Sequence, residues 1–132
     1  MQSKELQSTR KAGEIGEGIA KKYLIANNWK ILARNFYVRG GEIDLIALDQ
    51  NCLVFIEVKF RTSDQFGKST EQFSFQKKKR IKRASLKFLQ RYLSGELNLQ
   101  SYKFNKTRYD FISVTKASSQ KLKIKHFKNV EM

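Results

Sequence analysis

The sequence predicts an α/β protein, a mixed β-sheet flanked by helices in the order α-β-β-β-α-β-β. Two stretches repeat apolar residues with the 3.6-residue period of a helix buried on one side. Between and after them, shorter stretches rich in β-branched and aromatic residues are bounded by Gly, Asn, Asp and Ser. The 132 residues contain no Pro, no repeat and no Ser/Gly linker, so residues 1–132 are expected to form one domain, with residues 1–8 as a flexible basic N-terminus.

The first helix is expected over residues 9–26. Ala12, Ile15, Gly16, Ile19, Ala20, Tyr23 and Leu24 recur on one face, Ser8 or Thr9 can cap its start, and Asn27-Asn28 can end it. Residues 29–38 (WKILARNFYV) read as a strand, followed by a turn at Arg39-Gly40-Gly41. Residues 42–48 and 52–61 form a hairpin closed by Asp49-Gln50-Asn51, and residues 62–70 read as a polar loop containing Gly67. A second helix follows over residues 70–93. Ile81, Ala84, Ser85, Phe88, Leu89 and Tyr92 form its buried stripe, and Ser94-Gly95 ends it. Residues 102–114 and 122–127 read as two further strands.

Charge and composition narrow the function classes. Lys and Arg number 27 against 12 Asp and Glu, a net charge of +15, so a polyanion is the expected partner and nucleic acid the obvious one. A membrane surface is not expected, because no basic amphipathic terminal helix carries exposed Trp or Phe. No apolar run approaches the roughly 18 residues of a membrane span, and MQSKELQSTRKAGE lacks the apolar core of a secretory leader. A single Cys52 rules out an internal disulfide and CxxC-type zinc sites, which fits a cytoplasmic location. A single His126 leaves little for a His-centred triad.

The chemistry lies in the hairpin. In LVFIEVKFR, period-two alternation puts Val54, Ile56, Val58 and Phe60 on one face and Leu53, Phe55, Glu57, Lys59 and Arg61 on the other. An acid and a base thus project together from a strongly apolar strand, where isolated charges are costly without partners or a metal. A turn centred between Gln50 and Asn51 places Asp44 of the preceding strand across from Glu57. Two carboxylates brought together repel unless a cation lies between them, and oxygen donors of this kind suit Mg²⁺ or Mn²⁺. Lys59 can then orient water or stabilise charge on a phosphate. Glu17 flanks the apolar stripe of the first helix and can lean toward this cluster, whereas Glu14 points to solvent. The alternative reading is a structural salt bridge of Lys59 with Asp44 or Glu57.

The stretch GGEIDLIALDQNCLVFIEVKFR resembles the core motif of the bacterial YraN family of endonuclease-like proteins. GEIGEGIAKKYL, RNFYVRGGEID, RYDFISV and IKHFKN also match that family, so the resemblance runs from about Gly13 to Asn129. It implies a restriction-endonuclease-like fold of the PD-(D/E)xK nuclease superfamily, similar to Holliday junction resolvases. It also implies a metal-dependent DNA nuclease, selective for branched DNA, acting on DNA rather than RNA and working as a homodimer. On that pattern the acids are Glu17, Asp44 and Glu57, the lysine is Lys59, and the carbonyl of Val58 is a further ligand for Mg²⁺ or Mn²⁺. The Pro that names the motif is absent, and Ile43 precedes Asp44.

The candidate phosphate contacts are Arg39, Arg61, Lys77, Lys78, Lys79, Arg80, Lys82 and Arg83. Positive charge at the start of the second helix opposes the helix dipole, which favours a ligand-binding role for Lys77 to Arg80 over a merely solvated face. Arg61 can contact phosphate or pair with Asp64, and Arg39 lies on a loop at the mouth of the cluster. Glu42 is expected to support Asp44 or make a structural pair, and Arg108 to pair with Asp110. Trp29, Cys52 and His126 read as structural, the last two with no second ligand-type residue near them. The rival functions are a non-catalytic nucleic-acid-binding module and a ribosome-associated scaffold.

Overall fold

A computed structural model describes residues 4–62 and 74–132. The elements are α1 (Lys4–Ala26), β1 (Lys30–Val38), β2 (Gly41–Asp49), β3 (Cys52–Thr62), α2 (Phe75–Ser94), β4 (Lys106–Lys116) and β5 (Leu122–Phe127), in the expected order. The strands form one five-stranded sheet in the order β1-β2-β3-β4-β5. Neighbours are antiparallel except β3 and β4, which run parallel. A parallel neighbour cannot be reached by a tight turn, and α2 supplies the crossover.

Each helix covers one face. Ala20 and Leu24 of α1 pack with Leu45, Ala47, Val54, Ile56, Val58, Ile112 and Val114. Ile81, Ala84 and Phe88 of α2 pack with Ile43, Ile46, Leu48, Leu53 and Phe55. The alternation along β3 is the one its sequence predicts. Along β2 it slips at Asp44, because Ile43 and Leu45 fall in opposite cores.

Two glycines bring the helices close. A Cβ on Gly41 would lie 2.4 Å from the carbonyl oxygen of Arg80, and one on Gly16 would lie 2.6 Å from Cβ of Phe60. Any larger side chain would push α2 off β2, or α1 off β3. The hairpin register is as predicted, with Asp49 paired to Cys52 and Leu45 to Ile56.

Several boundaries differ from expectation. The first helix starts at Lys4 rather than at residue 9, because Lys4-Glu5-Leu6-Gln7 are good helix formers that extend it past the candidate caps Ser8 and Thr9. The basic N-terminus is therefore helical from Lys4. Ile15, assigned to the buried stripe, is 45% exposed, because the sheet beneath α1 meets the Gly16–Ala20–Leu24 line instead. The second helix starts after residue 74, where Ser74 caps it by accepting the Lys77 N–H at 3.2 Å. Gly95 ends it in the left-handed region at φ 86°. The fourth strand starts at Lys106, where its ladder with β3 begins at Cys52, just after Asn105 N–H donates to the Asn51 carbonyl of the β2–β3 turn at 2.9 Å. The predicted loop with Gly67, and Asp64 as a partner for Arg61, lie outside the described residues.

Candidate functional site

The ladder between β2 and β3 stops at Leu45 and Ile56, and the strands fork beyond it. Asp44 sits in the fork, where its Oδ2 accepts the Val58 backbone N–H at 2.8 Å. The N–H and C=O of one strand residue face the same neighbouring strand, so the Val58 carbonyl also faces the fork. Glu57 is buried at 7% exposure, and α2 reaches it through Lys77, whose ammonium pairs with Glu57 Oε2. From the other side α1 contributes Glu17, buried at 8% exposure, whose Oε1 accepts from Arg34 Nε at 3.5 Å. Glu14 is exposed, as its helical position predicts. α1, β2 and β3 thus bring Glu17 within electrostatic reach of Asp44 and Glu57, and Lys59 within reach of those two acids.

The electrostatics follow from that crowding. Burial, reinforced by the charge of Glu57 and a hydrogen bond shared with it, pushes the Asp44 carboxyl up to about 9. Burial also raises Glu17, against the opposing pull of Arg34. Lys59 is lowered by burial first and then by the like charges of Lys77 and Arg61, while Glu57 and Asp44 oppose the shift. Asp44 and Glu57 offer hard oxygen donors, and the Val58 carbonyl facing the fork offers another, the donor type that Mg²⁺ and Mn²⁺ take. Each acid is meanwhile engaged by a partner of its own: Arg34 for Glu17, the Val58 N–H for Asp44 and Lys77 for Glu57. Among the described residues no three His, Cys, Asp or Glu side chains converge as a ready-made metal ligand set.

The candidate phosphate contacts divide into groups. Lys77 and Arg80, with Glu42, Ser74 and Gln76, line the cavity that opens onto Glu57. Lys79, Lys82 and Arg83 line a shallow groove farther along α2, beside the exposed Leu86. Lys79 also lies over the Phe75 ring at 5.2 Å. Lys78 is half-buried on the same helix, Arg61 is half-buried near the end of β3, and Arg39 is exposed on the β1–β2 turn. Arg80 reaches Glu42 at 4.0 Å, a surface pair of the kind that contributes at most about 1 kcal/mol.

A second polar cluster lies under the start of β1. Arg108 donates to Asp110 through Nε at 2.9 Å and to Asp49 through a terminal nitrogen at 3.0 Å. His126 Nε2 lies 2.7 Å from Asp110 Oδ2, so His126 has a ligand-type neighbour that the sequence reading placed nowhere near it. An ionised carboxylate has no proton to give, so Nε2–H donates to Asp110, and Nδ1 lies 2.9 Å from the Tyr23 hydroxyl, which donates to it in the neutral ring. Burial alone would raise Asp110, but bonds from His126, Arg108 and the Asn129 N–H outweigh it and hold the carboxyl low. Buried Trp29 closes the cluster, with its ring 5.2 Å from the Arg108 guanidinium. These contacts tie β4 to β2 and to β5, and β5 to α1, the structural role expected of the pair.

Sequence reasoning missed Arg34 altogether, and it named Lys77 as a phosphate contact without its partner Glu57. Arg34 carried no signal, since nothing in a single strand shows which helix lies over it. Lys77 did carry one, an unfavourable charge in the first turn of a helix, but only the packing of α2 shows that it turns inward to Glu57.

The chain is thus a small α/β protein with an acid-and-lysine cluster at a strand fork. The sequence profile of the uncharacterised protein family UPF0102 matches residues 16–114. A UPF0102 protein of Photobacterium profundum is 37% identical over 105 residues, 80% of this chain and 79% of its own. One from Caldanaerobacter subterraneus is 43% identical over 102 residues, 77% of each. One from Carboxydothermus hydrogenoformans is 35% identical over 121 residues, 92% of this chain and 95% of its own. The chain belongs to UPF0102, which is the YraN family.

Proposed function

We propose that this protein is a metal-dependent nuclease that hydrolyses DNA phosphodiester bonds at the β2–β3 fork. The observation that carries the reading is the juxtaposition of Asp44 with Glu57 at the fork, where burial and the charge of Glu57 hold the Asp44 carboxyl up and Lys77 and Arg80 line the cavity beside Glu57. Asp44, Glu57 and the carbonyl of Val58, with help from Glu17, would hold Mg²⁺ or Mn²⁺, whose chemistry is to neutralise a phosphate and acidify a bound water. Lys59 orients the attacking water and offsets the negative charge that builds on the phosphoryl oxygens. Lys79, Lys82 and Arg83 hold the sugar–phosphate backbone without reading bases. Selectivity for branched DNA and a two-site dimer extend the reading.

Cleavage of labelled linear, flapped and four-way-junction DNA in Mg²⁺, Mn²⁺ or EDTA tests it, with wild type and Glu57→Ala purified side by side. Metal-dependent cutting by wild type and a loss of at least about 100-fold in the variant are expected, the scale for removing a group that stabilises a transition state. Equal residual cutting by both proteins would identify a contaminant and sink the proposal. The rival reading, a non-catalytic nucleic-acid-binding module, draws on one observation: every acid of the fork already has a partner. It expects DNA binding by both proteins and cutting by neither.

A further inference from the structure

The ammonium of Lys77 and a divalent cation would require the same carboxylate. Glu57 is buried to 7% exposure, and its Oε2 is taken by Lys77, whose own side chain remains 33% exposed at the mouth of the cavity. Lys77 sits in the first turn of α2, where its charge opposes the dipole, and Ser74 pins that turn through the Lys77 N–H. Gly41 lets the helix come close enough for the contact. A second ammonium, Lys59, lies near enough for the two to repel. Such a crowded pair of cations, one held on an acid and reaching solvent, is built for exchange.

We propose that Lys77 is a positioning residue of the site. It holds Glu57 when no cation is bound, gives the carboxylate up when one binds, and then turns its ammonium to a phosphate of the nucleic acid entering the cavity. The inference rests on the metal-dependent reading above and deepens it. It couples the two ligands, because metal binding frees a positive charge for DNA, and DNA in turn draws Lys77 off the metal ligand.

Calorimetric titration of the full chain with MnCl₂ tests the first half. A charge in contact with a carboxylate shifts its equilibria by about one to three powers of ten. Lys77→Met is therefore expected to bind Mn²⁺ at least about tenfold more tightly than wild type. Lys77→Arg, which keeps the pair, should stay within about threefold of wild type. Lys87→Met removes equal charge farther along the same helix and should leave Mn²⁺ affinity unchanged. Should the methionine variant fail to fold, Lys77→Gln reads the same quantity.

The second half is read by anisotropy with a labelled duplex. In EDTA, Lys77→Met and wild type should differ less than they do in Ca²⁺, because Glu57 then competes with the phosphate for Lys77. In Ca²⁺ the variant should bind more weakly, with its salt slope reduced by about one. Equal Mn²⁺ affinity of wild type and Lys77→Met, a matching gain in Lys87→Met, or the same DNA deficit in EDTA as in Ca²⁺ would overturn the proposal while leaving the nuclease reading intact. No Mn²⁺ binding by wild type or by any Lys77 variant would end both.

Discussion

Asp44 loses most of its water in the fork and faces a second carboxylate, so its charged form is the one the fold resists. A folded-state value of about 9 against an ordinary 3.8 has a definite sign. The folded protein holds the proton more tightly than the unfolded chain, so this contribution to stability is complete below about pH 4 and is lost as pH rises toward 9. Asp44→Asn cannot ionise, yet its side-chain oxygen can still accept from Val58 and its amide can donate to Glu57. In EDTA the variant is expected to show a flatter profile of Tm against pH between 5 and 9, and to melt about 5 °C or more above wild type at pH 9. Scanning calorimetry across that range checks it, and an unchanged profile would show that the two acids do not crowd one another. The same variant should lose Mn²⁺ binding, the usual trade between a strained site and stability.

At the scale of elements, the site depends on how closely two helices approach the sheet. Ridge-and-groove packing against a flat sheet leaves room for side chains unless one partner has none. Gly41 is where α2 meets β2, and backbone atoms of Arg80 and Ala84 stand within 3.0 Å of any added Cβ. Backbone cannot swing aside as a side chain can. Gly41→Ala is expected to cost about 1–3 kcal/mol, the range for overpacked cores, and to shift α2 so that Lys77 no longer meets Glu57. Chemical denaturation gives the first quantity. The second appears as Mn²⁺ affinity approaching that of Lys77→Met, and a variant with wild-type stability would show that the approach is looser than described. The helix starts carry a related lesson. A cap ends a helix only where the preceding residues disfavour it, so α1 runs through Ser8 and Thr9, whereas Ser74 does cap α2.

At the scale of the molecule, an excess of fifteen positive charges on 132 residues must be visible in how it meets a polyanion. Each cation seated on a phosphate releases a counterion, so affinity for DNA should fall steeply and linearly in a plot of log K against log salt. Replacing Lys79, Lys82 and Arg83 together by Gln should lower that slope by about three, or about one per contact, with little change in fold, since all three are exposed. Anisotropy titrations between about 50 and 300 mM salt, spanning the range where such slopes are steep, would measure it. An unaltered slope would move the DNA path off α2. Among the described residues no helix is long and apolar enough to cross a membrane.

The order of elements, the hairpin register and the Asp44–Glu57 juxtaposition were all legible in the sequence. Each depends on a local rule: period-two alternation along β3, a tight turn at Gln50-Asn51, and a 3.6-residue stripe on each helix. Even the turning of Glu17 inward and Glu14 outward follows from the helical wheel of α1. Contacts between segments far apart in the chain were not legible. The pairing of Arg34 with Glu17, of His126 with Asp110 and of Lys77 with Glu57 joins elements whose relative positions no local pattern specifies. Periodicity decides which face of an element is buried. Only the packing of one buried face on another decides which charged groups are left beside each other, with too little water to keep them apart.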